Sequence, residues 1–187
     1  KSPRVKQIVA IAGIILLVGF LFSRDIKGLE KSTEDTQETV SAPEVQSLNI
    51  TIEEASATAK NLISNATAKE IGALENRYTR AKGEERIEQA KVLAQKWDDL
   101  EQAVPSALYL EDAAQNQSSL ENWIKAGGMF LKAFDNTQDS LVKPTMLQKA
   151  NQAYGKALEI DSVNAEAKTG MGITIVNGMG APMQGIA

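Results

Sequence analysis

The stretch that decides the predicted fold runs from Ala150 to Gly172 and reads ANQAYGKALEIDSVNAEAKTGMG. Within it, Ala150, Tyr154 and Ala157 follow one another at steps of four and three, which places them on one face of an α-helix. Pro144 stands where this helix would begin, and proline is tolerated in a first helical turn. The stretch therefore predicts a helix whose buried face consists of small residues around one aromatic side chain.

This stretch resembles the tetratricopeptide repeat (TPR), a helix-turn-helix unit of about 34 residues. The second helix of that family carries Ala, an aromatic and Ala at the spacing seen here. The other matches are the exit LEID (158–161), the next helix start NAEA (164–167) and Met171-Gly172, where the family has Leu-Gly; Ser162 replaces the usual proline. The resemblance implies that small residues let paired helices approach closely, while the aromatic fills the gap to the neighbouring helix.

An upstream segment carries the first-helix pattern of the same family, with Trp123, Gly127 and Phe130 at the Trp, Gly and aromatic positions. The distance from Phe130 to Ala150 is 20 residues. Since about nine are usual in the family, we expect an insertion of about 11 residues around DNTQDSLVK (135–143), either a loop or an elongated helix. We assign residues 118–187 to TPR-like repeats, which we expect to continue after position 187.

Residues 51–117 show apolar side chains at steps of three and four between short breaks, which predicts antiparallel helix hairpins. This region is degenerate with respect to the repeat pattern. A coiled coil over 67–104 is the alternative, but Gly83 in its middle favours a hairpin. Pro105 is expected to restart the chain in a short fourth helix.

Three sequences mark predicted helix starts. Thr51-Ile-Glu-Glu54 and Ser118-Ser-Leu-Glu121 fit the capping box, in which a Ser or Thr and a Glu satisfy free backbone N–H groups. Thr67-Ala-Lys-Glu70 fits the same pattern and predicts a second helix that ends at Gly83.

The N-terminal segment from Ile8 to Phe22 reads IVAIAGIILLVGFLF and carries no charge. The uncharged stretch between Lys6 and Arg24 covers roughly 25 Å as a helix, the short end of a membrane span. We predict a basic tail at 1–7 and a single transmembrane helix at 8–23 that inserts in the lipid bilayer. A cleaved signal peptide and a buried core helix are the alternatives; the bulky ending Phe-Leu-Phe-Ser-Arg disfavours cleavage.

Residues 24–50 are rich in acids and poor in large apolar side chains, and we interpret them as a solvated linker of the helical domain. The basic flanks of the span do not discriminate orientation, with three Lys or Arg on each side. The short basic tail and the large following domain favour a cytoplasmic N-terminus. The predicted location is therefore the inner (plasma) membrane, with the helical domain on the periplasmic side.

Composition disfavours several classes of function. The chain has a formal net charge of −4, no His and no Cys, which removes the commonest general base and the commonest soft metal ligands. We therefore predict a non-enzymatic protein without cofactor, metal site or small-molecule substrate. The acidic balance argues against nucleic-acid binding.

The resemblance implies that the first helices of the repeats line a groove for other proteins, and the predicted anchor makes a membrane protein complex the expected partner. The partner-binding candidates are Glu121, Ile124, Leu131, Glu166, Thr169, Ile173, Val176 and Asn177. The predicted function is a membrane-anchored scaffold at the cell envelope, accessory to a secretion translocon or to envelope-complex assembly. The alternative is a small structural subunit held through its transmembrane helix, where Ala12 and Gly19 form a shallow notch for a partner helix.

Overall fold

The computed structural model describes residues 48–179, which form seven α-helices and a final π-helical turn. No strand occurs in this part of the chain, so the predicted all-α class is confirmed for it. The helices are α1 (Ile52–Lys60), α2 (Asn65–Arg80), α3 (Glu84–Asp99), α4 (Ala103–Asn116), α5 (Leu120–Asn136), α6 (Val142–Ile160) and α7 (Ala165–Thr174), and the π-helical turn is Ile175–Met179.

The predicted tail at 1–7, the predicted membrane span at 8–23 and all but the last three residues of the predicted linker lie outside the described residues, as do Ala12 and Gly19. Between residues 48 and 179, none of the helices has both the length and the apolar character that a membrane crossing requires.

The capping box that opens α1 is confirmed. The Thr51 hydroxyl accepts the Glu54 N–H at 3.2 Å, and the Glu54 carboxylate accepts the Thr51 N–H at 3.1 Å. The capping box predicted at 118–121 is wrong, because Ser119 is the N-cap of α5: its hydroxyl accepts the Asn122 N–H at 3.2 Å, and Glu121 is not at the third helical position that a box requires. The Ser118 hydroxyl instead accepts the indole N–H of Trp123 at 2.8 Å, and this contact fixes the ring orientation.

The predicted bounds of α2 need correction at both ends. Ser64, and not Thr67, is the N-cap, and its hydroxyl accepts the Thr67 N–H at 3.1 Å. The helix ends at Arg80, whereas Gly83, at a φ of +57°, is the residue before α3. The chain turns over 81–83 and α2 packs on α3, so the hairpin interpretation is right and a continuous coiled coil is wrong for this segment.

The fourth helix is longer than predicted and spans 14 residues. Pro105 is its third residue, where the missing N–H has no intrahelical acceptor in any case. Pro144 occupies the same position in α6. The expected insertion at 135–143 is divided between the last turn of α5, a loop at 137–141 and the first turn of α6.

From α2 onward each helix packs on the next, α5 also contacts α7, and α1 packs on α4. Two buried clusters result, and α4 contributes to both of them. Ile71, Leu93, Trp97 and Tyr109 dominate the first cluster, and Phe130, Met146 and Tyr154 the second. Burial of each such side chain contributes roughly 1.5–3 kcal/mol, which makes these clusters the main source of stability.

Candidate protein-binding surface

The geometry of the C-terminal half depends on the ring of Tyr154 in α6. A Cβ atom at Gly127 of α5 would lie 2.9 Å from Cε1 of this ring, and one at Gly170 of α7 would lie 2.1 Å from Cζ. A residue larger than glycine at either position would therefore require the Tyr154 ring or the helix backbones to shift. The Tyr154 ring therefore sets how closely α5, α6 and α7 approach one another, and burial raises the pKa of its hydroxyl.

Sequence reasoning identified Gly127 but not Gly170. The repeat pattern placed Gly172 at the family glycine position, whereas the glycine that contacts Tyr154 lies two residues earlier. The two glycines of α7 have similar sequence neighbours, so only the position of α7 on α6 distinguishes them.

Residues of α3, α4, α5 and α7 line one groove of about 690 Å³, which we call the α3–α5–α7 groove after the helices that form its walls. Its walls are residues of α3 between 91 and 98, two residues of α4, the stretch 117–129 around the start of α5, and Glu166 of α7. Three of the predicted partner-binding residues come together in this groove: Glu121, Ile124 and Glu166.

The other five predicted residues do not line this groove. Leu131 is half-buried and packs against the second core cluster. The exposed Thr169 hydroxyl donates to the Ala165 carbonyl at 2.8 Å, and the Asn177 amide donates to the Ile173 carbonyl at 2.9 Å. Ile173 and Val176 are exposed near the C-terminal end of the described residues.

The α3–α5–α7 groove has an apolar floor and a rim of both charges. Ile124, Leu110 and Met129 contribute to the floor and are half-buried against the core. On the rim, Lys125 donates to Glu121 at 2.7 Å, and this hydrogen bond lowers the pKa of the Glu121 carboxyl. An apolar floor with polar groups of both signs suits a peptide chain, which presents side chains and backbone hydrogen-bonding groups together.

The polar wall of this groove is held in place by Asn122. Its amide donates to the Gln117 carbonyl at 2.8 Å, and its side chain is almost fully buried. Across the groove, Asp98 of α3 accepts from Lys132 of α5 at 2.5 Å. The first contact holds the turn between α4 and α5, and the second links α3 to the C-terminal half of α5.

A second groove, of about 610 Å³, lies against α1, and we call it the α1 groove. Its lining comes from residues 48–50, α1 with Leu62, residues 101–105 at the start of α4, and the end of α5 with the following loop and Val142. It shares no lining residue with the α3–α5–α7 groove. No local sequence pattern predicts the α1 groove, because its walls come from four segments that are distant in sequence and that helix packing brings together.

A cluster of polar side chains joins α2, α3 and α4. The Arg86 guanidinium stacks over the Tyr78 ring at 4.2 Å from its centroid, and its Nη2 donates to Asp112 Oδ1 at 3.2 Å. Burial raises the pKa of Tyr78, and a hydrogen bond to Asp112 raises it further. Tyr109 packs edge-on against the Tyr78 ring, with centroids 5.1 Å apart. The cluster holds three helices together.

Within residues 48–179, no three His, Cys, Asp or Glu side chains are grouped so that they could hold a metal ion. No protein-family model, no curated protein and no solved structure matches this chain. The functional proposal therefore depends on the grooves themselves.

Proposed function

We propose that this chain is a non-enzymatic, membrane-anchored TPR scaffold that binds other proteins through the α3–α5–α7 groove. The observation that carries the proposal is that α3, α5 and, through Glu166, α7 line one groove, to whose apolar floor α4 adds Leu110. In a helical solenoid the first helix of each unit faces the concave surface, where partners bind.

The spacing of the helices supports the repeat interpretation. The first residues of α3 and α5 lie 36 positions apart, and those of α5 and α7 lie 45 apart. The first interval is close to the TPR unit of about 34 residues, and the second exceeds it by about the length of the expected insertion.

In this proposal the N-terminal span anchors the scaffold in the inner membrane, with the helical domain on the periplasmic side. Anchoring concentrates the groove near membrane-bound partners, so that a weak contact suffices. The partner class is a membrane protein complex such as a secretion translocon or an envelope-assembly machine. The alternative function, a subunit held through the notch at Ala12 and Gly19, differs in which segment carries the binding.

A charge reversal in the groove tests the proposal. Lys125→Glu changes an exposed rim lysine that pairs with Glu121 at 2.7 Å, and Lys156→Glu changes an exposed lysine of α6 that pairs with Glu159 at 3.0 Å. Lys156 lines neither groove, and both changes create a similar repulsive pair on a helix surface. The two variants therefore differ mainly in whether the groove is altered.

Each variant and the unaltered chain are crosslinked in native membranes, solubilised in gentle detergent and compared by quantitative mass spectrometry. We expect Lys125→Glu to lower recovery of the main partner several-fold, with Lys156→Glu unchanged. Equal recovery with both variants would contradict the groove as the binding surface. In a separate arm, replacement of residues 1–24 by an unrelated anchor should preserve the complex; loss of the complex would favour the structural-subunit alternative.

A further inference from the structure

The α1 groove combines an apolar floor with an acidic rim. Ile50, Val104 and Val142 contribute apolar surface from three separate segments. Three carboxylates, those of Glu54, Glu101 and Asp139, surround this floor, and no Lys or Arg is among the residues that line it. The charged side chains that line the α1 groove are therefore all negative, whereas those that line the α3–α5–α7 groove carry both charges.

Two leucines flank α1 and remain exposed at the groove. Leu48 is 43% exposed before the helix and Leu62 is 70% exposed after it. The nine residues of α1 between them span roughly 13 Å, which corresponds to two to three turns of a partner helix. The volume of about 610 Å³ lies within the range of roughly 300–1,000 Å³ that is usual for a ligand pocket.

We infer that the α1 groove docks a short, basic amphipathic helix of a partner protein, with apolar side chains on the floor and Lys or Arg beside Glu54, Glu101 and Asp139. Charge complementarity selects this occupant. Opposite potentials attract across an interface, whereas an acidic rim repels nucleic acid and anionic membrane surfaces. The apolar floor supplies affinity and the rim supplies orientation, as in other helix-in-groove contacts.

Glu101 is the rim residue best suited to a test. Its carboxylate is exposed, and its backbone has a φ of +58°. Lysine adopts this φ no more readily than glutamate does, so Glu101→Lys changes the charge and leaves the backbone requirement unaltered. The other two acids also hold the local backbone: Glu54 accepts the Thr51 N–H in the capping box of α1, and Asp139 accepts the N–H of Leu141, just before α6, at 2.8 Å. Their replacement would also affect folding.

The experiment places a photo-crosslinking amino acid, benzoylphenylalanine, at position 62 of the full chain in neutral nanodiscs. A matched chain carries it at Val163, which is 76% exposed and lines neither groove. The probe is a biotinylated 14-residue synthetic peptide of Leu and Lys in a helical pattern, and its counterpart carries Glu in place of Lys. Peptide that binds the nanodisc lipid alone gives similar yields at both positions.

We expect the basic peptide to crosslink at position 62 at least about tenfold more than at position 163. Glu101→Lys should reduce that yield severalfold, whereas Glu84→Lys, an exposed control outside both grooves, should leave it unchanged. Equal yields at the two positions, equal yields with the acidic peptide, or no crosslink at all would each overturn the inference. A dominant internal crosslink from position 62 to residues 1–47 would also overturn it, because the groove would then hold a segment of its own chain.

Discussion

The ring of Tyr154 lies directly on the backbone of Gly170, so that a Cβ atom at position 170 would stand 2.1 Å from Cζ. The same ring contacts Gly127, where a Cβ atom would stand 2.9 Å from Cε1. One aromatic side chain of α6 thus meets two glycines on two different helices. This arrangement fixes the spacing of α5 and α7, which both contribute to the α3–α5–α7 groove.

The first prediction concerns this contact. Gly170→Ala should lower the free energy of unfolding by about 1–3 kcal/mol, the usual cost of overpacking, because the Tyr154 ring has Gly127 as a second close neighbour. Gly72→Ala is the matched control in α2, since no atom lies within 4 Å of its Cβ position. That change should raise the free energy of unfolding by about 0.4–1 kcal/mol, because alanine leaves the unfolded chain fewer conformations than glycine does. Urea unfolding followed by tryptophan fluorescence measures both, and an equal effect of the two alanines would refute the close contact.

The second prediction is a loss of stability at alkaline pH. Burial raises the pKa of Tyr78, Tyr109 and Tyr154 in the folded chain above the ordinary value of about 10. Below pH 10 their contribution to stability is complete. As the pH rises further, unfolded tyrosines lose protons that folded ones retain, so each lowers the free energy of unfolding with a slope that approaches about 1.4 kcal/mol per pH unit once the unfolded side chain is fully ionised.

Tyr109→Phe provides the control for this prediction. It removes one of the three groups, so the decline between pH 10 and pH 11 should become smaller by about 1 kcal/mol, because an unfolded tyrosine goes from half to mostly ionised over this interval. Urea midpoints at pH 8, 10 and 11 give the slope for each chain. A flat profile in the unaltered chain, or an identical slope in both chains, would show that the tyrosines do not stay protonated in the fold.

The third prediction concerns the ion pair between α4 and α6. Lys149 Nζ lies 2.7 and 3.0 Å from the two carboxylate oxygens of Glu111, and both side chains are largely buried. Lys149 also stands over the Phe130 ring, 5.6 Å from its centroid. A double-mutant cycle with Lys149→Met and Glu111→Gln should give a coupling of about 0.5–3 kcal/mol.

The surface pair Lys156–Glu159 is the reference for that cycle. Its atoms approach to 3.0 Å, but both side chains are mostly exposed, so its coupling should stay at about 0.5 kcal/mol or less. Added salt should weaken the surface pair more than the buried one. If both cycles gave the same coupling, the Lys149–Glu111 contact would contribute no more than a solvated pair.

The fourth prediction concerns the segment that leads into α1. The Leu48 N–H donates to the buried Thr145 hydroxyl of α6 at 3.1 Å, a contact between residues 97 positions apart. Thr145→Val keeps the shape of the side chain and removes the acceptor. It should therefore lower the free energy of unfolding by roughly 0.5–1.5 kcal/mol. Hydrogen exchange at Leu48 should accelerate, because its amide loses its partner.

Thr169→Val is the control for this change. The Thr169 hydroxyl is exposed and bonds only to the Ala165 carbonyl of its own helix. Its removal should therefore change the free energy of unfolding by no more than about 0.5 kcal/mol. Exchange at Leu48 should not change in this variant. Unaltered exchange at Leu48 in Thr145→Val would mean that other contacts hold the segment against α6.

Local chemistry explains which parts of the fold could be predicted. The N-cap at Thr51 follows from capping, and the buried positions of Ile87, Ala90, Ala94 and Trp97 follow from periodicity; both act within one or two turns. The errors at Ser64 and Ser119 arose where two Ser or Thr residues compete within a few positions. In such a case the N-cap is the residue whose hydroxyl lies beside a free backbone N–H, and helix packing determines which residue this is.

The two grooves and the contacts of Tyr154 could not be predicted from the sequence. Local patterns were enough to predict the all-helical class between residues 48 and 179, the small-aromatic-small face of α6, and Glu121, Ile124 and Glu166 as surface candidates. The contact of Gly170 with Tyr154, the meeting of these three candidates in one groove, and the acids from α1, the α3–α4 turn and the 137–141 loop around another all result from helix packing. The physical reason is range: capping and periodicity act between near neighbours in sequence, whereas a groove is made by side chains that helix packing brings together from distant segments.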